Sequence, residues 1–264
     1  MALQEEFEKQ GNWLFRYRSS LPLFILVIGI YINLRTEFHP ETFIFKGTTY
    51  EIYYETFCLM VSLFGLFIRV YTVGHTLDWT SGRNTTEGQV AIVLNKTGIY
   101  SIVRHPLYLG NFFMWLGPAM LSGQFWFIAA FGLFYWVYYE RIMFAEEQFL
   151  RGKFKSEYTN WAQNIPAFIP NFKNFVKPEV VFSWIKVIRN EKNGLLSVFF
   201  IFCVFDIVGE MIEKKGTYNY FLIIGFIVSS LFFVIVQYLK KRTKVFSQIR
   251  TSDPDTGKVM ITSI

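Results

Sequence analysis

Residues able to do chemistry gather in two short segments. The first, Gly98-Ile-Tyr100-Ser-Ile-Val-Arg104-His105-Pro106-Leu-Tyr108-Leu-Gly110, sets a guanidinium and an imidazole against a proline that opens an apolar run. The second is the adjacent acidic pair Glu146-Glu147, just past the next apolar run. Pro106 disfavours helix at His105 and favours a helix start directly after it. Arg104 and His105 should then sit beside free backbone N–H groups, a natural place for an anion. Gly110, one turn on, leaves room for a ligand or a second helix to approach. Neighbours on a helix point about 100° apart, so one of Glu146 and Glu147 is expected to face a site and the other water. A carboxylate accepts hydrogen bonds from vicinal hydroxyls and favours a nearby cationic centre. Cations, an imidazole and carboxylates at two helix ends imply an enzyme working at a membrane surface, with a substrate drawn from the lipid.

The elements that must position these groups are long and apolar. Of 264 residues, 52% are hydrophobic and 20% aromatic, while 17% are charged, a balance that belongs to membrane helices rather than to a soluble domain. Six apolar spans are expected, over Leu21–Leu34, Thr56–Gly74, Leu107–Leu121, Phe125–Phe144, Gly194–Ile212 and Asn219–Leu239. About 20 helical residues cross a 30 Å hydrocarbon core, so the first and third spans are short. Ser122-Gly123-Gln124 can only be a tight hairpin turn between the third and fourth. The acidic start Met1-Ala2-Leu3-Gln4-Glu5-Glu6 lacks the order of a signal peptide, so the first span is expected to be retained. The expected fold is an all-α polytopic membrane protein. Its core covers residues 1–178, two further spans lie in 179–245, and 246–264 form a polar tail.

Lysines and arginines concentrate before the first span, between the second and third, after the fourth and in the tail. The positive-inside rule places those ends, and both termini, in the cytoplasm. Arg104, His105, Glu146 and Glu147 then bracket one helical hairpin at one end and can converge. The net charge of +6 reports membrane orientation rather than nucleic-acid binding. Cys58 and Cys203 lie inside apolar runs and read as packing residues, and His39, His75 and His105 have no metal-ligand spacing. The sequons at Asn84 and Asn95 fall on the cytoplasmic side, where they would carry no sugar. The polar stretch from Tyr71 to Leu94 is either a solvated connector or a loop over the site, with Arg83 as its best anion-binding residue. Asp206 and Glu210 share one face of the fifth span and read as structural or as an oligomer contact.

The run from Tyr100 to Gly110, followed by Glu146-Glu147-Gln-Phe-Leu150-Arg-Gly-Lys-Phe154-Lys-Ser-Glu-Tyr158, resembles the isoprenylcysteine carboxyl methyltransferase and phospholipid methyltransferase superfamily. Asn164-Ile-Pro166-Ala-Phe-Ile-Pro170 is similar to the segment that closes the family's core, and the resemblance covers roughly residues 55–172. It implies S-adenosylmethionine as cofactor, held by Tyr100, Arg104, His105, Pro106, Tyr108, Gly110, Glu146 and Glu147. Arg141 sits near a substrate-side arginine of some members, offset by one residue. The catalytic role is thus expected of Arg141, Glu147 and Arg104, and contact with the substrate of Arg141 and of Arg83, the latter as the anion-binding residue of its polar loop. Methyl transfer is an in-line displacement that needs mainly alignment and dry surroundings. A phosphate or carboxylate acceptor needs no strong base. A hydroxyl or amine would, and His105 is the only nearby histidine.

The implied activity is methyl transfer to an anionic group of a membrane lipid or lipidated substrate, such as a lipid A-type phosphate in a bacterial inner membrane. Two other readings compete. NADPH-dependent membrane sterol reductases share a similar Arg-His-Pro-x-Tyr-x-Gly turn. They follow it, however, with an Arg-Asp pair and a Cys-x-x-Lys-Tyr-Gly run that this chain lacks. A non-enzymatic membrane protein that binds lipid or a partner would use the last two spans as its interface.

Overall fold

The computed structural model describes residues 2–18, 21–76, 83–85, 88–91, 93–213, 216 and 218–243, with backbone alone at 21, 83–85, 88–90 and 213. Among these residues the fold is helical: α1 (Leu3–Tyr17), α2 (Leu21–Phe38), α3 (Glu51–Gly74), α4 (Pro106–Leu121), α5 (Phe125–Ala162), α6 (Trp184–Glu213) and α7 (Tyr220–Arg242). The exception is a small antiparallel hairpin pairing Arg83–Thr85 with Gly88–Val90, inside the stretch expected to be a loop. The tail expected over 246–264 lies outside the described residues.

Three helices, α3, α6 and α7, are long and apolar enough to cross a membrane, and the bent pair α1–α2 makes a fourth if counted as one span. These account for four at most of the six expected spans. Helix α4 has 16 residues, short of a full crossing. The apolar half of α5 carries Tyr135, Tyr138, Tyr139, Trp126 and Trp136, residues that prefer the membrane interface to its centre. Helix α6 also starts at Trp184, well before the expected Gly194, and this earlier start bears directly on the site.

Helices α3 and α4 form the closest pair. Ser62 donates to the Met114 carbonyl across their contact at 3.0 Å. Gly110 lies in this crossing: a Cβ there would sit 2.6 Å from Arg69 Cγ and 2.9 Å from the Gly65 carbonyl oxygen. Small residues let two helix backbones approach this closely. Gly110→Ala is therefore expected to destabilise the protein by about 1–3 kcal/mol, read as a lower melting temperature in detergent. An unchanged melting temperature would show that the crossing relaxes freely.

Helix α1 lies along α5, with Gly11 against the Arg141 carbonyl and Ala145. At the far end of the hairpin, Gly123 adopts φ 67° in the turn, where α2 braces it through a Thr36 hydroxyl donating to the Ser122 carbonyl at 2.9 Å. At that same end Lys46 bridges Glu37 and Glu51 at 2.6 and 2.7 Å. Asp206 accepts from the Asn219 backbone N–H at 3.0 Å, which ties α6 to the start of α7.

Candidate functional site

Helix α4 begins at Pro106 with His105 as its cap, in a non-helical conformation (φ −121°, ψ 61°), as a residue before proline requires. The segment leading into it is sewn to the chain that follows α5. Gly98 N–H donates to the Val176 carbonyl at 2.9 Å, and Arg104 N–H to that of Pro166 at 2.9 Å. His105 N–H donates to the Ala167 carbonyl at 3.2 Å, while Ile102 accepts from Asn171 N–H at 2.9 Å. Gly98 takes φ 63°, a left-handed conformation in which a side chain would be strained. The amides of Arg104 and His105 themselves are spent on Pro166 and Ala167, so the free N–H groups expected beside them can only be those that open α4, from Leu107 on. The rest of what can hold a ligand is side-chain chemistry.

That chemistry converges as expected. His105 Nε2 lies 2.9 Å from Glu147 Oε1, and Arg104 Nε lies 3.2 Å from the same oxygen. Tyr108 donates its hydroxyl to Glu146 Oε2 at 2.9 Å, and His105 Nδ1 is 3.7 Å from that oxygen. The His105 and Tyr108 rings stack with centroids 5.7 Å apart. The Tyr108 carbonyl accepts from the Tyr135 hydroxyl of α5 at 2.6 Å. One acid was expected to face water, but the Glu146 and Glu147 side chains are only 14% and 15% exposed. Both are engaged because α4 presents His105 and Tyr108 to each of their directions in turn. Burial pushes the Glu147 carboxyl up, but the hydrogen bond and charge of His105 and the charge of Arg104 outweigh it, so its pKa lies below the ordinary value. Burial raises the Tyr100 and Tyr158 phenols, so both stay protonated.

This network opens on a cavity of about 540 Å³ between α3, α4, α5 and α6. Tyr100, Arg104, His105, Pro106, Tyr108 and Glu146 line it. Glu147 stands behind His105 and Arg104. After Lys155, where φ of 48° breaks α5, the chain turns so that Tyr158 and Trp161 close the cavity's upper wall. Trp161 Nε1 is buried in that wall without a hydrogen-bond partner, while Arg104 Nε pairs with Glu147 and the Tyr158 phenol faces the same carboxylate. A buried donor is costly unless an acceptor meets it, and one left on a cavity wall suits a ligand that brings an acceptor.

Two expected site residues lie elsewhere. Gly110 is not in the cavity wall, because the α3 backbone fills the space its missing side chain leaves. Arg141 points at α1: its guanidinium lies 3.7 Å over the Phe7 ring, 3.3 Å from Gln10 and 3.1 Å from Glu140. On α5 it shares the face of Ala145, which Gly11 covers. The Arg83 side chain lies outside the described residues. Sequence reasoning missed the other side of the cavity. There Arg69 of α3 pairs with Glu191 of α6 through two contacts of 2.8 Å and donates to Asn111 of α4 at 2.7 Å. The signal was available, since a charge such as Arg69 inside an apolar span demands a partner.

Residues 55–157 match the phospholipid methyltransferase family, and they include both halves of the network. The match ends before α6 and α7. The chain is 39% identical over 79 residues to a protein-S-isoprenylcysteine O-methyltransferase of Schizosaccharomyces pombe, covering 30% of this chain and 33% of that one. It is 31% identical over 115 residues to the Saccharomyces cerevisiae protein of the same name, covering 43% and 47%. It is 32% identical over 97 residues to the nickel-cobalt-cadmium resistance protein NccN of Alcaligenes xylosoxydans xylosoxydans, covering 37% and 42%. The chain thus spans a third to a half of the length of these relatives. No solved structure matches it. The methyltransferase domain and the apolar helices fit an integral membrane protein.

Proposed function

We propose that the protein transfers a methyl group from S-adenosylmethionine to an anionic group of a membrane lipid or lipidated substrate. The observation that carries this reading is the joint network of Arg104, His105, Tyr108, Glu146 and Glu147 at a cavity whose wall holds the unpaired indole N–H of Trp161. Those residues fit the cofactor. Arg104 and Trp161 offer N–H donors to its carboxylate and ring nitrogens, and Glu146 offers an acceptor to its ribose hydroxyls and an anion to its cationic sulfur. When bound, the cofactor supplies an electrophilic methyl group on a sulfonium.

The protein's own part is to align and to dry. Glu147 fixes the His105 ring and the Arg104 guanidinium, and Tyr108 fixes Glu146, so that the donor's ends meet groups that do not move. Tyr100, Tyr158 and Trp161 keep water from the cavity wall. An anionic acceptor arrives ready to attack, so His105, committed to Glu147, serves as a holding group and not as a base. Arg83 remains the proposed contact for the acceptor anion, while Arg141 drops out because α1 occupies its guanidinium. The positive-inside count supports a site on the cytoplasmic side with both termini there, and the proposed location is a bacterial inner membrane. A lipid A-type phosphate is the acceptor in keeping with that placement.

Isothermal titration of detergent-purified protein tests the donor reading. S-adenosylhomocysteine is expected to bind in the micromolar range, with at least tenfold weaker binding to His105→Ala. Tight NADPH binding with no S-adenosylhomocysteine binding would overturn it.

A further inference from the structure

The cavity has a second wall that lies outside the methyltransferase domain. Lys186, Asn190, Asn193, Ser197 and Ile201 of α6 all line it, and their spacing of four, three, four and four keeps them on one helix face. The stripe is graded. Its first four residues are polar or charged, while Ile201 at its far end, with Val198 beside it, is apolar and buried. The facing wall of α4 repeats that gradient, from His105 and Asn111 to Met114, Trp115 and Pro118. From Pro106 to Pro118 that wall descends about 18 Å, more than half a hydrocarbon core. A cavity that is polar at one end and apolar over this depth has the shape of an amphiphile, with a head at the helix ends and a chain along the bilayer.

The head-group end is equipped for an anion. The Lys186 ammonium is anchored on Thr76, donating to its carbonyl and to its hydroxyl, which fixes the charge at the cavity wall. Asn190 and Asn193, one and two turns further in, have side-chain amides with no hydrogen-bond partner among the described residues. Asn190 is half-buried and Asn193 exposed, so both amides stand open to a ligand's oxygens. Arg69, on the opposite wall, is neutralised by Glu191, so it does not compete for the anion. These polar residues fall within the first three turns of α6, ahead of its most apolar stretch. That position favours a lipid lying in the bilayer over a group presented by a protein from outside it.

We propose that Lys186, Asn190 and Asn193 form the head-group subsite for an anionic membrane lipid, whose chain runs along Met114, Val198 and Ile201. This rests on the methyl-transfer reading for what happens to the lipid, but not for its binding. Helix α6 is then the part of the protein that selects the acceptor, beside a donor site held by the family domain.

Photolabelling tests the subsite in the intact protein. The probe is hexadecyl phosphate with a diazirine in its chain, incorporated in phosphatidylcholine nanodiscs, with the matching alcohol as control. The phosphate is expected to label α4 and α6 peptides around Met114 and Val198 at least tenfold more than the alcohol does. Asn190→Leu/Asn193→Leu and Lys186→Met should each lower that labelling at least fivefold, and Lys186→Arg should restore it. S-adenosylhomocysteine affinity, measured in parallel, should stay within twofold in all three. Equal labelling by phosphate and alcohol, labelling spread over the lipid-facing side of α7, or unchanged labelling of the variants would overturn the subsite. Displacement by S-farnesylcysteine at tenfold lower concentration than by hexadecyl phosphate would also overturn it, in favour of a lipidated protein. Wild type that labels as expected but binds no S-adenosylhomocysteine would sink the donor reading alone.

Discussion

Replacing Glu147 with alanine is expected to cut methyl transfer at least about 100-fold, equivalent to about 2.7 kcal/mol of transition-state stabilisation. The side chain touches both His105 and Arg104 through one carboxylate oxygen. Its loss frees both groups in a confined space and leaves their charge uncompensated. Breaking a buried pair by deleting one partner costs about 3–5 kcal/mol, and the partial exposure of Glu147 puts it at the lower figure. The variant should thus melt several degrees lower and bind S-adenosylhomocysteine poorly. Glu147→Gln separates the two effects, because it keeps an acceptor for His105 and loses the charge. The pH dependence follows from the lowered carboxyl pKa. A carboxyl lowered in the folded state stabilises fully above its unfolded value of about 4.3, and that contribution is lost as pH falls through the folded value. Wild-type stability should lose this part only below about pH 4, and Glu147→Gln should lack that part of the acid slope. A variant with wild-type turnover and an unchanged acid limb would remove Glu147 from the site.

Much of this site could be read in the chain because its rules are local. A proline fixes where α4 starts, and a three-residue connection forces a hairpin, so Arg104, His105, Glu146 and Glu147 had to meet. What could not be read depended on neighbours distant in sequence. Whether Gly110 faced a ligand or a helix was settled by the approach of Gly65, and the direction of Arg141 by the docking of α1. The bonding of the Arg104 and His105 amides by the chain that returns beyond α5 likewise had no local signal. Tyr158 and Trp161 reach the cavity through a break at Lys155, where a non-glycine residue at positive φ gives no sequence signal. The early start of α6 was hidden by its composition. Lys186, Arg189, Glu191 and Lys192 look like a solvated connector until Arg69 is seen to pair with Glu191.

That pair carries the second large expected effect. Glu191 is 5% exposed and Arg69 22%, and the guanidinium makes two contacts to the carboxylate and a third to Asn111. Glu191→Leu leaves Arg69 with Asn111 alone, which offers one neutral acceptor to a charge in an apolar wall. The expected loss is about 3 kcal/mol or more, and Arg69→Met, stranding the carboxylate, should cost as much. The double variant Arg69→Met/Glu191→Leu should recover most of the stability, because two apolar side chains of similar length can pack where the ions stood. Thermal melting of the four proteins in detergent gives the cycle. A double variant as unstable as the sum of the singles would show that the ions do not act as a pair. The pair matters beyond its energy because Arg69 lies within the methyltransferase domain and Glu191 outside it. Each single variant should loosen α6 from α3 and shift the far wall of the cavity. Donor binding at Glu146 and Glu147 would then survive in the double variant, where the wall is packed again, while the singles lose it along with their stability.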